Sequence, residues 1–270
     1  MVTAVLMLSI ALSVGGNMLL KYGEVVGKES DMEHASGVED SFLRLRTSMS
    51  ALLEGQDTDT TIVNRLTMGT YGNPYLGVAR SSGQMSMTPN PDLFQMTISI
   101  KTATSETTLN TVNGVIRYHI NNYYFQDQTF TYLGGGTIRE EYGQTVMTSA
   151  PPIFVVRSGS VWGLELRSYS MTGDSWSVSG IDTVMMSVQM DGYSDIYRDI
   201  KAGQTIVLKV DGYGEDAWAD HFRGYLEAAG LAPGTDFTVI DATTEVPYIT
   251  VELKTISFFQ GYIGEMEVTI

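Results

Sequence analysis

The sequence predicts an α+β fold: a long N-terminal α-helix, apolar and then amphipathic, carrying a β-rich, sandwich-like globular head that contains one short helix. Three observations predict it. The first twenty residues carry no charge. Apolar residues then recur at steps of four and three, with no proline between Tyr22 and Leu53. From about Ile62 the rhythm becomes alternating, and glycine-rich turns separate short apolar runs.

The leading segment, MVTAVLMLSIALSVGGNMLL, precedes the first charge at Lys21. Twenty helical residues span about 30 Å, the hydrocarbon thickness of a bilayer. A cleaved secretory signal calls for a basic segment ahead of a shorter apolar stretch. Nothing basic precedes this one, and Ser13-Val14-Gly15 is a weak cleavage site. Two readings fit better: a plain single-pass anchor, and a helix that first enters a membrane and later packs against copies of itself. Ser9, Ser13 and Asn17 favour the second, because at i, i+4 and i+8 they share one face, with Gly16 beside them. Small, weakly polar residues on one stripe permit close helix–helix approach. The Gly15-Gly16 pair costs about 2 kcal/mol of helix propensity relative to alanine and marks a place to bend. The candidate packing residues are Val5, Leu8, Ser9, Leu12, Ser13, Gly16, Asn17 and Leu20.

The helix continues past Lys21. Lys28, Glu29, Asp31, Glu33 and His34 form a polar collar, and Glu24 and Lys28 make an i, i+4 pair in the favourable order. Val38, Phe42, Leu45, Met49 and Leu52 then repeat with the heptad rhythm of a seam. That seam lies either between copies or on the head's own sheet. Gly55 is the expected stop. The domains are therefore 1–54, a filament-core or transmembrane helix of roughly 80 Å, and 55–270, the head, with 203–270 a possible sub-lobe.

In the head, Phe94–Ile100 alternates strictly, as a half-buried strand should. Further strands are expected at Gly114–Ile120, Thr129–Leu133, Thr137–Met147, Ile153–Arg157, Val161–Ser170, Val184–Met190 and Thr205–Val210. Asn113-Gly114, the glycines at 134–136, Ser158-Gly159 and Thr172-Gly173-Asp174 are the expected turns. The short helix is expected over Glu215–Ala229, stopping at Gly230. Strands at Asp236–Asp241, Tyr248–Lys254 and Ile256–Thr269 complete the chain.

Composition excludes several functions. With 31 acidic and 16 basic residues the formal charge is −15, which argues against a surface for nucleic acid or anionic lipid. At 17% charged and 10% aromatic, the chain is not a disordered acidic tail. There is no cysteine, hence no disulfide, thiolate metal site or cysteine nucleophile. Catalytic patterns are thin. Gly173-Asp174-Ser175 lacks the following glycine of a nucleophile elbow. Asp220-His221 has no identifiable serine partner, and the glycine run at 134–136 lacks the context of a phosphate loop. Asp191, Asp195 and Asp199, and the loop bearing Asp211, Glu215 and Asp216, are weak calcium candidates beside the alternative of solvated acids. No enzyme activity and no cofactor are expected.

Taken with the apolar helix and its amphipathic extension, the runs Tyr22–His34 and Val38–Leu45 resemble the membrane-proximal helix of archaeal type IV pilin-like proteins, a superfamily that includes adhesion pilins and archaellins. Ala150-Pro151-Pro152-Ile153-Phe154 and Gly163-Leu164-Glu165-Leu166 are similar to parts of their heads. Val5 stands where bacterial pilins carry a glutamate, which fits the archaeal branch. The resemblance implies a precursor whose basic leader is cut by a prepilin peptidase just ahead of the apolar helix, making Met1 the first mature residue. It further implies an assembly ATPase, a membrane platform protein, and a helical homopolymer at the cell surface, of the adhesive type. The alternative is a single-pass membrane-anchored surface protein with a β-rich binding ectodomain; an exported hydrolase using Ser175 is a distant third.

Overall fold

The computed structural model describes the backbone of residues 2–73, 78–159 and 161–270, with side chains at all of these except 2–6, 8, 19 and 20. The first element, α1 (Val2–Gly55), is one unbroken helix of 54 residues. It does not end on a left-handed glycine. Gln56 takes that conformation, at φ 49°. The Asp57 N–H donates to Leu52 O at 3.0 Å and the Gln56 N–H to Leu53 O at 3.2 Å, which satisfies two orphan carbonyls.

In chain order the strands that follow are β1 (Thr61–Thr67), β2 (Ser82–Thr88), β3 (Phe94–Lys101), β4 (Glu106–Asn113), β5 (Val115–Asn121), β6 (Gln128–Leu133), β7 (Gly136–Glu141) and β8 (Gln144–Ser149). Next come β9 (Ile153–Ser158), β10 (Val161–Thr172), β11 (Trp176–Gly180), β12 (Thr183–Asp199) and β13 (Thr205–Gly212). The second helix, α2 (Glu215–Ala228), precedes β14 (Phe237–Ile240), β15 (Tyr248–Leu253) and β16 (Ile256–Thr269).

The expected α+β class is thereby corrected. Half of the chain lies in strands, so this is a mainly β protein with one long N-terminal helix, and its head is a sandwich-like stack of three sheets. Their orders are β1-β12-β16-β10-β9, β11-β2-β5-β6-β7-β8 and β14-β15-β13-β3-β4. In the first, β10 and β16 run parallel. The strand content was underestimated because β1, β2, β4 and β11 are polar edge or near-edge strands without a clean apolar alternation. In addition, β12 runs on through Asp191, Asp195 and Asp199, where acidic residues suggested a loop. Thr137–Met147 is a hairpin rather than one strand, turned at Tyr142-Gly143, both with positive φ. Gly134-Gly135 makes the matching two-residue turn between β6 and β7, again with both φ positive.

Residues 203–270 do not form a lobe of their own. β13 joins β3 and β15 in the third sheet, whereas β16 sits between β12 and β10 in the first. Two apolar cores result. One lies between the third sheet and α2, where Trp218 stacks on Phe94 and Phe222 at 5.9 and 5.7 Å. The other gathers α1 from Ala35 to Leu53 with the first and second sheets. The boundary at 54/55 therefore separates sequence rhythms but not packing units. The long strands β10 and β16 contribute side chains to both cores, so the first sheet is their common wall.

Candidate functional site

Along α1 the burial pattern divides the helix in two. Met7 and all residues from Ser9 to Met18 are exposed, with Met7 and Met18 at 71% and Leu12 at 67%. Among the described residues burial begins at Gly23 and recurs at Gly27, Asp31, Ala35, Val38, Phe42, Leu45, Met49 and Leu52. The first part of the helix thus projects with apolar side chains in the open, a state that is costly in water.

Of the predicted packing residues, Ser9, Leu12, Ser13, Gly16 and Asn17 lie on this projecting stretch and are exposed. The side chains of Val5, Leu8 and Leu20 fall outside the described residues. A Cβ built on Gly15 or Gly16 meets nothing within 4 Å, so the head places no demand on either glycine. The predicted seam has a different fate. Val38, Phe42, Leu45, Met49 and Leu52 are all within 2% of complete burial against the chain's own sheets, and Phe42 stacks on Phe130 at 6.2 Å. Among the described residues no helix is long and apolar enough to cross a membrane.

A clasp at residues 27–34 fixes the projection, where the sequence showed only the polar collar of Lys28, Glu29, Asp31, Glu33 and His34. Asp31 is 1% exposed, and its Oδ2 accepts from the backbone N–H groups of Tyr124 at 2.8 Å and Phe125 at 3.2 Å. The Tyr124 ring lies on Gly27, where a Cβ would come 2.3 Å from the ring. Its hydroxyl accepts from the Ala79 N–H at 3.1 Å. Lys28 Nζ sits 5.9 Å from the Phe125 ring centre. One turn on, His34 Nε2 lies 3.1 Å from the Tyr118 hydroxyl, which donates to Met68 O at 2.7 Å. Burial holds the His34 pKa below its ordinary value, against an opposing pull from Asp31. The spacing Gly23, Gly27, Asp31, Ala35 was the available signal: small residues every four positions, with the aspartate on the same stripe.

The chemical candidates are dispersed. Among the described residues no group of three or more histidine and acidic side chains could hold a metal ion. Glu215 turns back to accept from the Gly212 N–H at 3.3 Å, with α2 beginning after the left-handed Gly214. Asp211 and Asp216 form no ligand set with it. Asp191 accepts from Thr172 Oγ1 at 2.6 Å, and Asp199 from the Tyr197 hydroxyl at 2.9 Å, on the exposed side of β12. Ser175 Oγ donates to Thr88 Oγ1 at 3.1 Å. His221 stacks on Tyr225 at 5.8 Å. The site with a physical demand attached is the projecting helix. No protein-family model matches this chain, and no curated protein or solved structure matches it.

Proposed function

We propose that the chain is the structural subunit of an extracellular type IV pilus-like filament, with N-terminal helices bundled at the axis and β-rich heads forming the sheath. One observation carries this reading: the apolar first part of α1 has its described side chains exposed, while the apolar seam of the second part is already used by the head. An exposed apolar helix needs lipid or other helices. Burying on the order of 1,000 Å² per copy at about 25 cal/mol per Å² is worth roughly 25 kcal/mol gross, and association and ordering offset much of it. A head-to-tail contact that does not close on itself propagates as a fibre. Residence in a membrane before assembly, and dependence on a prepilin peptidase, an assembly ATPase and a platform protein, belong to the same proposal.

The test is electron microscopy of fibres sheared from cells, combined with the triple variant Ser9→Leu, Ser13→Leu and Asn17→Leu. The expected result is fibres with the N-terminal helix at the axis, and a loss of fibre yield in the variant while the head stays folded. Detergent-solubilised monomers alone, with no fibre under any condition, would sink the proposal in favour of a single-pass anchored surface protein.

A further inference from the structure

The outer face of the second sheet carries a polar cleft of about 370 Å³, lined by Gln84, Ser86, Arg117, His119, Thr129 and Glu140. Gln84, His119, Thr129 and Glu140 stand in one paired row across β2, β5, β6 and β7, and Ser86 and Arg117 pair in the next row. Residues two apart on a strand share a face, so all six side chains point away from the core that takes Tyr118, Ile120 and Phe130. Tyr213, from the turn between β13 and α2, braces two of the lining side chains. Its hydroxyl donates to Glu140 Oε2 at 2.5 Å, and the Arg117 guanidinium lies over its ring at 4.4 Å. His119 Nδ1 and Thr129 Oγ1 are 2.9 Å apart.

Two features separate this cleft from an ordinary solvated sheet face. The Arg117 Nε is buried without a hydrogen-bond partner, which no other arginine or lysine among the described residues shows, and the guanidinium has no carboxylate within ion-pair reach among those residues. The second feature is the lining itself, which mixes donors and acceptors and includes no apolar side chain. A hydrophobic peptide or acyl chain finds no anchor there. A phosphate or sulfate would face the Glu140 carboxylate as well as Arg117. Sugar hydroxyls both donate and accept, and a vicinal pair spans the fork of a guanidinium.

We propose that this cleft binds a neutral saccharide, with Arg117 donating to hydroxyl oxygens, Glu140 accepting hydroxyl protons, and Gln84 and His119 fixing orientation. Its volume is at the lower end of small-molecule sites, about 300–1,000 Å³, which suits one or two sugar units. The inference goes beyond the filament reading and does not depend on it, since a monomer presents the same cleft.

The experiment uses the full chain in a sugar-free zwitterionic detergent. It is applied to an immobilised array of neutral hexose and N-acetylhexosamine oligosaccharides, with saturation-transfer NMR on the free sugars that bind. At least one sugar class should be retained. Glu140→Gln and Arg117→Lys should each weaken it about tenfold, the scale of one charge-assisted hydrogen bond, and Gln84→Ala by about threefold. Thermal melting should stay unchanged in Gln84→Ala, whose side chain is exposed. Retention of no sugar overturns the proposal. So does binding that all three variants leave untouched, or a stronger response to free amino acids or inorganic phosphate than to any sugar.

Discussion

Glycine substitutions along α1 separate its packing roles more cleanly than any other perturbation. In a helix interior, glycine to alanine gains about 1 kcal/mol when the new methyl group meets nothing. At Gly37 a Cβ has nothing within 4 Å, so Gly37→Ala should stabilise by about that amount, a Tm rise of about 2–4 °C for a chain of this size. At Gly27 the same methyl group would lie 2.3, 2.5 and 2.7 Å from three atoms of the Tyr124 ring. That ring cannot swing aside cheaply. Its backbone N–H is held by Asp31 and its hydroxyl by the Ala79 N–H. Overpacking of this kind costs about 1–3 kcal/mol, so Gly27→Ala should be a net loss of about 1 kcal/mol despite the better helix former. Denaturant and thermal melts of both variants in one detergent measure the pair. Equal stabilisation by the two would refute the clasp. The double variant Gly15→Ala, Gly16→Ala extends the test to assembly: the melt of the head should not move, and fibre yield should fall if helices approach each other at that pair.

Three further outcomes are expected. Asp31→Ala leaves the Tyr124 and Phe125 N–H groups without their acceptor, and should cost about 2–3 kcal/mol and speed hydrogen exchange at residues 122–127. His34 has its folded pKa held below 6.5 by burial, so between the folded value and 6.5 the unfolded chain binds more protons. Stability should therefore fall as pH drops below about 6.5 and level off beneath the folded pKa; His34→Gln should flatten that slope in melts from pH 7 to 5, leaving the part due to His221, which burial shifts the same way. The described side chains of residues 1–22 are exposed, so on deleting that stretch the remainder should melt within about 0.5 kcal/mol of the full chain and run as a monomer in gel filtration.

What the sequence made legible was whatever apolar periodicity reports. The seam from Val38 to Leu52 appears as a repeat because five large side chains must reach one face. Gly230 was legible as the end of α2 because the closing bonds from Gly230 to Glu227 and from Leu231 to Leu226 require a left-handed residue there. Polar structure left no such trace. Strand β4, ETTLNTVN, pairs with β3 through backbone groups that any side chain permits. Asp31 looks like one acid among several in the collar, and only the tertiary fold shows that two distant N–H groups converge on it. The same holds for the cleft. Gln84, Arg117, Thr129 and Glu140 come from four strands, and bringing Gln84 beside the others depends on the pairing of β2 with β5, whose residues are far apart in sequence. Asn113-Gly114 does separate two strands as expected, with Gly114 at positive φ, but sequence did not show that it carries the chain from the third sheet to the second.

The division of α1 also constrains how an assembly could be built. If the seam at Val38–Leu52 were the polymer interface, forming a filament would require the helix to leave its own head, exposing the core that holds Phe42, Phe130 and Tyr118. Nothing of that kind is needed when the interface is the stretch before Gly23, whose described side chains are exposed. The charge distribution favours the same arrangement. Residues before Lys21 contribute no side-chain charge to the net −15, so bundling them brings no like-charged side chains together at the axis. The acidic residues ride on the collar and the heads, where the screening length of about 8 Å at physiological salt confines repulsion to surfaces close to contact. In the proposed filament, repulsion would then act between heads and between neighbouring fibres, and attraction between helices. Two surfaces of one chain would thus set the sign of each interaction separately, with Gly23 as the boundary between them.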